Sequence, residues 1–141
     1  MNKANTLQHH GSCLCEGVRF TIDGELAPIQ ICHCSQCRRA QGSAFGANIP
    51  VETGKLKFLS GLDLLHRYES SPGKTRAFCS VCGSPVFSER SSLPGVVRVR
   101  VGLLAELVES KVASHAYVDS KAGWYVIADG LPKYLAGLVT P

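Results

Sequence analysis

Apolar and polar residues alternate along much of this chain, and the dominant period is two. Val18, Phe20 and Ile22 alternate within Gly11 to Asp23, the pattern of a half-buried strand, and that stretch also carries Cys13 and Cys15. Pro28 to His33 reads as a short strand, followed by one or two helical turns over Ser35 to Gln41 that Gly42 stops. Ala44 to Pro50 and Lys55 to Leu59, punctuated by Gly54 and Gly61, continue as strands. Leu64 to Tyr68 and Thr75 to Phe78 flank the turn signal Ser70-Ser71-Pro72-Gly73 and predict a hairpin. Pro85 to Glu89 and Gly95 to Leu103 are further strands. In the second, Val97, Val99 and Val101 share one face and Arg98 and Arg100 the other, which predicts a one-sided sheet. A helical turn over 103–110 and a strand over 113–118 complete the pattern, before a tail from Trp124 that mixes aromatics with Gly and Pro. The expected fold class is mainly β, with antiparallel sheets and few short helices.

Length adds a domain count. The 141 residues suit one domain, read as a polar, flexible N-terminus over 1–10, a single domain over 11–135 and a tail over 136–141. With 45% apolar and 18% charged residues the chain is globular, and no apolar run approaches the roughly 20 residues of a membrane span. The polar start lacks the apolar core of a secretory signal, so a cytoplasmic setting is expected. The net charge of +4 is scattered, which argues against nucleic-acid binding; the one tight basic doublet, Arg38-Arg39, stays open as an anion site.

The seven cysteines change the picture most. Cys32-His33-Cys34-Ser35-Gln36-Cys37 packs three thiols and an imidazole into six residues, and the remaining four fall in two pairs, Cys13/Cys15 and Cys79/Cys82. In a reducing compartment such spacings point to metal ligands, and an odd number of thiols cannot all pair as disulfides. Cys-x-Cys on a strand would aim both sulfurs at one side. Phe78-Cys79-Ser80-Val81-Cys82-Gly83 has the form of a zinc knuckle, with Gly83 available for the left-handed backbone such a turn needs. A redox pair is the other use of C-x-x-C, but the βαβ context that goes with it is absent.

Seven ligands divide naturally as four plus three. A four-cysteine zinc site is closed and structural, whereas three ligands leave a coordination position open. Spacing alone leaves the partition open. Cys34/Cys37 with Cys79/Cys82 would form a two-knuckle ribbon; alternatively Cys13/Cys15 join Cys79/Cys82, and Cys32, Cys34 and Cys37 form a compact open set. His33 lies between two candidate ligands, but on a strand its side chain points away from both, so a packed or hydrogen-bonded histidine is expected. Phe45, Trp124 and Tyr125 are expected to serve as core.

These motifs carry a family resemblance. Gly11-Ser12-Cys13-Leu14-Cys15-Glu16-Gly17-Val18-Arg19-Phe20, Cys32-His33-Cys34-Ser35-Gln36-Cys37-Arg38-Arg39-Ala40-Gln41-Gly42 and Cys79-Ser80-Val81-Cys82-Gly83-Ser84-Pro85 resemble the glutathione-dependent formaldehyde-activating (GFA) family, whose domain also occurs in centromere protein V. His115, Val118-Asp119-Ser120-Lys121, Trp124 and Asp129-Gly130-Leu131-Pro132 look like its C-terminal region. Gly123 departs from the pattern, which has Pro before the tryptophan.

The resemblance implies a β-tent zinc-binding fold and two zinc ions per chain. One is structural, on Cys13, Cys15, Cys79 and Cys82; the other is catalytic and labile, on Cys32, Cys34 and Cys37. It further implies a carbon–sulfur lyase related to S-(hydroxymethyl)glutathione synthase, which joins glutathione to formaldehyde, with another thiol adduct as an alternative substrate. Arg38 and Arg39 are the candidates to bind a glutathione carboxylate, since guanidinium matches that group bidentately. The alternative reading is a non-enzymatic zinc module for a protein or nucleic-acid partner, which calls for two closed sites or a clustered basic face.

Overall fold

The computed structural model describes residues 7–105 and 110–137, so half of the helical turn expected over 103–110 lies outside the described residues. Among the described residues ten strands are formed: β1 (Gln8–Ser12), β2 (Arg19–Asp23), β3 (Ile29–Cys32), β4 (Gly46–Glu52), β5 (Leu56–Ser60), β6 (Leu65–Ser71), β7 (Lys74–Cys79), β8 (Pro85–Arg90), β9 (Val96–Arg100) and β10 (Val112–Ala116). One α-helix, α1 (Ser35–Gln41), and four short 3-10 turns accompany them among the described residues. The fold class is therefore mainly β, with antiparallel and mixed pairing. No helix among the described residues is long and apolar enough to cross a membrane.

The chain divides into two compact units, Met1–Ala27 with Ile49–Glu109, and Pro28–Asn48 with Ser110–Pro141. In the first, β1, β2 and β5 form an antiparallel sheet in that order, and β6, β7, β8 and β9 an antiparallel meander. Its core runs through aromatic rings: Phe20 lies 6.0 Å from Phe58, and Phe58 6.2 Å from Phe87. Val18, Phe20, Ile22, Val86 and Val99 are buried around them. The expected hairpin is present, with Ser71 opposite Lys74 across Pro72-Gly73 and Gly73 at a positive φ of 78°. In the second unit, β3 pairs parallel with β10 and antiparallel with the start of β4.

Three expectations need correction. The alternation over Gly11 to Asp23 is not one strand: β1 opens at Gln8 and closes at Ser12, and residues 13–18 form a loop before β2. Cys13 N–H donates to Val18 O at 3.1 Å, Glu16 N–H donates to Cys13 O at 3.0 Å, and Glu16 takes a positive φ of 65°. A tight turn, and not the strand pleat, thus presents Cys13 and Cys15. Nor is β9 one-sided, because Arg100 is buried along with Val97 and Val99, its Nη1 donating to Arg98 O. Trp124 is no core residue, being 74% exposed.

Gly61 supports the cysteine loop from below. At φ 81°, its missing Cβ would sit 2.2 Å from Gly17 O and 2.6 Å from Val18 Cα, both backbone atoms with no flexible end to move. Gly61→Ala is expected to destabilise the protein by about 2 kcal/mol or more, read as a lower urea midpoint at unchanged m-value.

Candidate metal centres

The Cys13, Cys15, Cys79 and Cys82 sulfurs all lie within 4.8 Å of one another. Two turns bring them together. The first is the loop between β1 and β2; the second is the knuckle after β7, where Gly83 N–H donates to Cys79 O at 2.8 Å and Gly83 takes a φ of 82°. A tetrahedral zinc with bonds of about 2.3 Å needs sulfur–sulfur edges of about 3.8 Å. Cys13 and Cys15 are 3.6 Å apart, and Cys15 and Cys79 are 3.8 Å apart, so the donor set fits that ion.

The backbone is arranged for negative sulfur. Val18 N–H donates to Cys13 Sγ at 3.3 Å, Gly17 N–H to Cys15 Sγ at 3.4 Å and Val81 N–H to Cys79 Sγ at 3.4 Å. Ser84 ties the two turns: its Oγ accepts from Leu14 N–H at 3.0 Å and lies 3.3 Å from Cys82 Sγ. Contacts to the Ser84 side chain and backbone, and to the Cys15 backbone, hold the Cys82 thiol down to about 5. For Cys15 the Gly17 N–H lowers the pKa. Contact with Cys13, burial, and contacts with Cys82 and Cys79 outweigh it and raise the thiol to about 11. Four sulfurs this close cannot all ionise without a cation among them, which is the charge pattern that a divalent metal resolves.

The second cluster is Cys32, Cys34 and Cys37, whose sulfurs also lie within 4.8 Å of one another. Cys32 ends β3, Cys34 is the N-cap of α1, and Cys37 is buried in its first turn. Cys34 Sγ accepts from Cys37 N–H at 3.2 Å, the role that serine or aspartate oxygen plays at other helix starts. Gly42 closes the helix in the left-handed region, its N–H donating to Arg38 O. Contacts with Cys34 and Cys37, followed by burial, hold the Cys32 thiol far above the ordinary range. The two groups are separate, a set of four and a set of three.

His33 belongs to neither group. It is completely buried, its Nε2 lies 2.8 Å from His115 Nδ1, and His115 Nε2 lies 3.0 Å from Asp129 Oδ2. Burial, then the charges of His115 and Lys121, lower the His33 pKa and keep the ring neutral at pH 7. The hydrogen bonds from His115 and Leu131 N–H hold the Asp129 carboxyl below its usual value, so it is ionised. Phe45 packs on His33 at a centroid distance of 5.6 Å and Tyr125 at 6.2 Å, both half-buried. The expectation of a packed, hydrogen-bonded histidine agrees with this geometry.

A family model described as "Glutathione-dependent formaldehyde-activating enzyme" matches residues 8–120. The chain belongs to the GFA family. A crystal structure of a Rhodobacter sphaeroides protein, a structural genomics target, is 25% identical to it. The match covers 74% of this chain and 99% of that chain, with a TM-score of 0.60. The fold described above is thus a GFA fold, and its two cysteine clusters are consistent with two metal sites.

Of the remaining candidates in this GFA chain, Arg38 is half-buried and its Nε donates to Ser120 O at 3.1 Å, clasping α1 to the turn after β10. Arg39 is exposed in the last helical turn. Ser84, His115 and Asp129 were given no role by sequence reasoning, although each lies in a stretch that carries the family resemblance. For Ser84 the signal was its position two residues after Cys82 in the knuckle. For His115 and Asp129 there was none, because their partnership is made across sequence by β10 and the segment that follows it.

Proposed function

We propose that this GFA chain is a zinc-dependent carbon–sulfur lyase resembling S-(hydroxymethyl)glutathione synthase. Its substrate is the adduct of a small aldehyde with glutathione or another thiol, and its site is the Cys32, Cys34 and Cys37 cluster. The observation that carries this reading is the unequal division of the cysteines into one group of four and one of three. A closed four-sulfur site suits a structural role; three sulfurs leave room for a ligand from outside.

When bound to three thiolates, zinc supplies a softened Lewis acid that suits thiol exchange better than water activation. The chain's own residues supply the rest. Cys34, fixed as the α1 cap, and Cys37, buried one turn on, present a rigid half of the donor set, so little ordering is left for the moment of binding. Arg39, exposed at the far end of the same helix, is the candidate partner for a glutathione carboxylate, while Arg38 spends its Nε on Ser120. The aromatic rings of Phe45 and Tyr125 exclude water from the His33 side of the segment. A reducing, cytoplasmic setting would keep all seven cysteines free of disulfides and available as ligands.

The test is direct. Zinc-loaded protein mixed with glutathione and formaldehyde is expected to accelerate exchange between free and adduct glutathione, followed by NMR line shape or magnetisation transfer. Exchange at the uncatalysed rate with every thiol offered would sink the proposal.

A further inference from the structure

Asp129, His115 and His33 form a hydrogen-bonded chain that ends on a buried ring. Ionised Asp129 can only accept, so His115 Nε2 donates to it across 3.0 Å. On its other side, His115 Nδ1 shares a hydrogen bond with His33 Nε2 across 2.8 Å. His33 Nδ1 is buried with no hydrogen-bond partner, so among the described residues the ring's polar tie runs through His115.

The residue so fixed is the one that links Cys32 to Cys34. Its N–H donates to Ala116 O at 2.9 Å, its O accepts from Ser120 Oγ at 3.5 Å, and its ring sits among Phe45, Tyr125 and His115. Phe45 and Tyr125 give the ring shape but no polar direction; His115 alone supplies that among the partners described. Asp129 is itself anchored, accepting from Leu131 N–H at Oδ1 and from Lys133 Nζ at its backbone O. The C-terminal segment thereby reaches the main chain between two of the three sulfurs.

We infer that Asp129 and His115 are positioning residues for the three-cysteine site: by hydrogen-bonding the ring of His33 and fixing its orientation they hold the backbone that presents Cys32 and Cys34. The inference rests on the metal reading of that site proposed above. Both act through His33, so their effect is on how well the ligand set is held. Partners that orient a metal's ligands commonly change its affinity about 10–100-fold.

The experiment uses the full chain, 15N-labelled and loaded with cadmium, as wild type, Asp129→Asn and His115→Phe. Long-range 1H–15N correlation is expected to show the His33 and His115 rings of the wild type in one hydrogen-bonded arrangement, with the His115 Nε2 proton held by Asp129. Asparagine keeps the shape of the carboxylate but can donate as well as accept, so that hydrogen bond loses its fixed direction and the two rings sample more than one arrangement. Cadmium affinity at the three-cysteine site is expected to fall about tenfold or more in both variants, with the four-cysteine resonance unmoved as evidence of an intact fold. Should His115→Phe misfold, Asp129→Asn decides, since Asp129 is exposed. An Asp129→Asn protein with unchanged ring correlations and unchanged cadmium affinity would overturn the inference alone. Failure of the wild type to bind cadmium at Cys32, Cys34 and Cys37 would overturn the metal reading and the inference with it.

Discussion

Replacing Cys79 with serine is expected to leave no stably folded protein. Cys79 is fully buried, belongs to the four-sulfur group and opens the knuckle whose hydrogen bonds run from Cys79 N–H to Ser84 O and from Gly83 N–H to Cys79 O. Closed sites of this kind contribute about 10–16 kcal/mol of metal binding near pH 7, as much as or more than the whole net stability of a domain, about 5–15 kcal/mol. Removing one thiolate also leaves three sulfurs arranged around a cation they no longer hold well. The expected outcome is insoluble expression, or a purified protein without a cooperative thermal transition. A Cys79→Ser protein that melts like wild type would show that the four sulfurs are not a structural metal site.

Cys34→Ser is expected to do the opposite, keeping the fold and removing the activity. Serine is among the best N-cap residues, and its hydroxyl can accept from Cys37 N–H as Cys34 Sγ does, so α1 should survive with a stability change within about 1 kcal/mol. What is lost is a thiolate. Bound zinc should fall from two per chain to one, and glutathione–formaldehyde exchange to the uncatalysed rate. Helix content by circular dichroism, metal content and exchange rate separate the two roles in one variant. Retained exchange with a single zinc would place the chemistry elsewhere.

Much of this was legible in the chain itself. Period-two alternation located most of the strands, because each has a face or a stripe that must leave water. Pro72-Gly73 marked its hairpin because only a left-handed residue suits that position. Cysteine spacing grouped the ligands within each local segment, and the family resemblance joined Cys13/Cys15 to Cys79/Cys82, as the geometry does. Reasoning failed where the determinant was not local. Cys13 and Cys15 look like strand residues, but a loop stabilised by hydrogen bonds to their own sulfurs interrupts the alternation. Arg100 breaks the one-sided pattern of β9 because a buried arginine can donate to backbone, here from Nη1 to Arg98 O, which no alternation rule foresees. The roles of His115 and Asp129 depend on β10 lying parallel to β3 and on the segment beyond it, contacts between stretches more than eighty residues apart in the first case.

The central claim is that the two cysteine clusters differ in kind, one closed and one open. It is tested most directly by zinc exchange against a chelator on the intact protein, with and without glutathione. Two zinc ions per chain are predicted, one retained on Cys13, Cys15, Cys79 and Cys82. The other leaves from Cys32, Cys34 and Cys37 at a rate that glutathione slows. Two ions that leave together, or are both retained indifferently to glutathione, would contradict it.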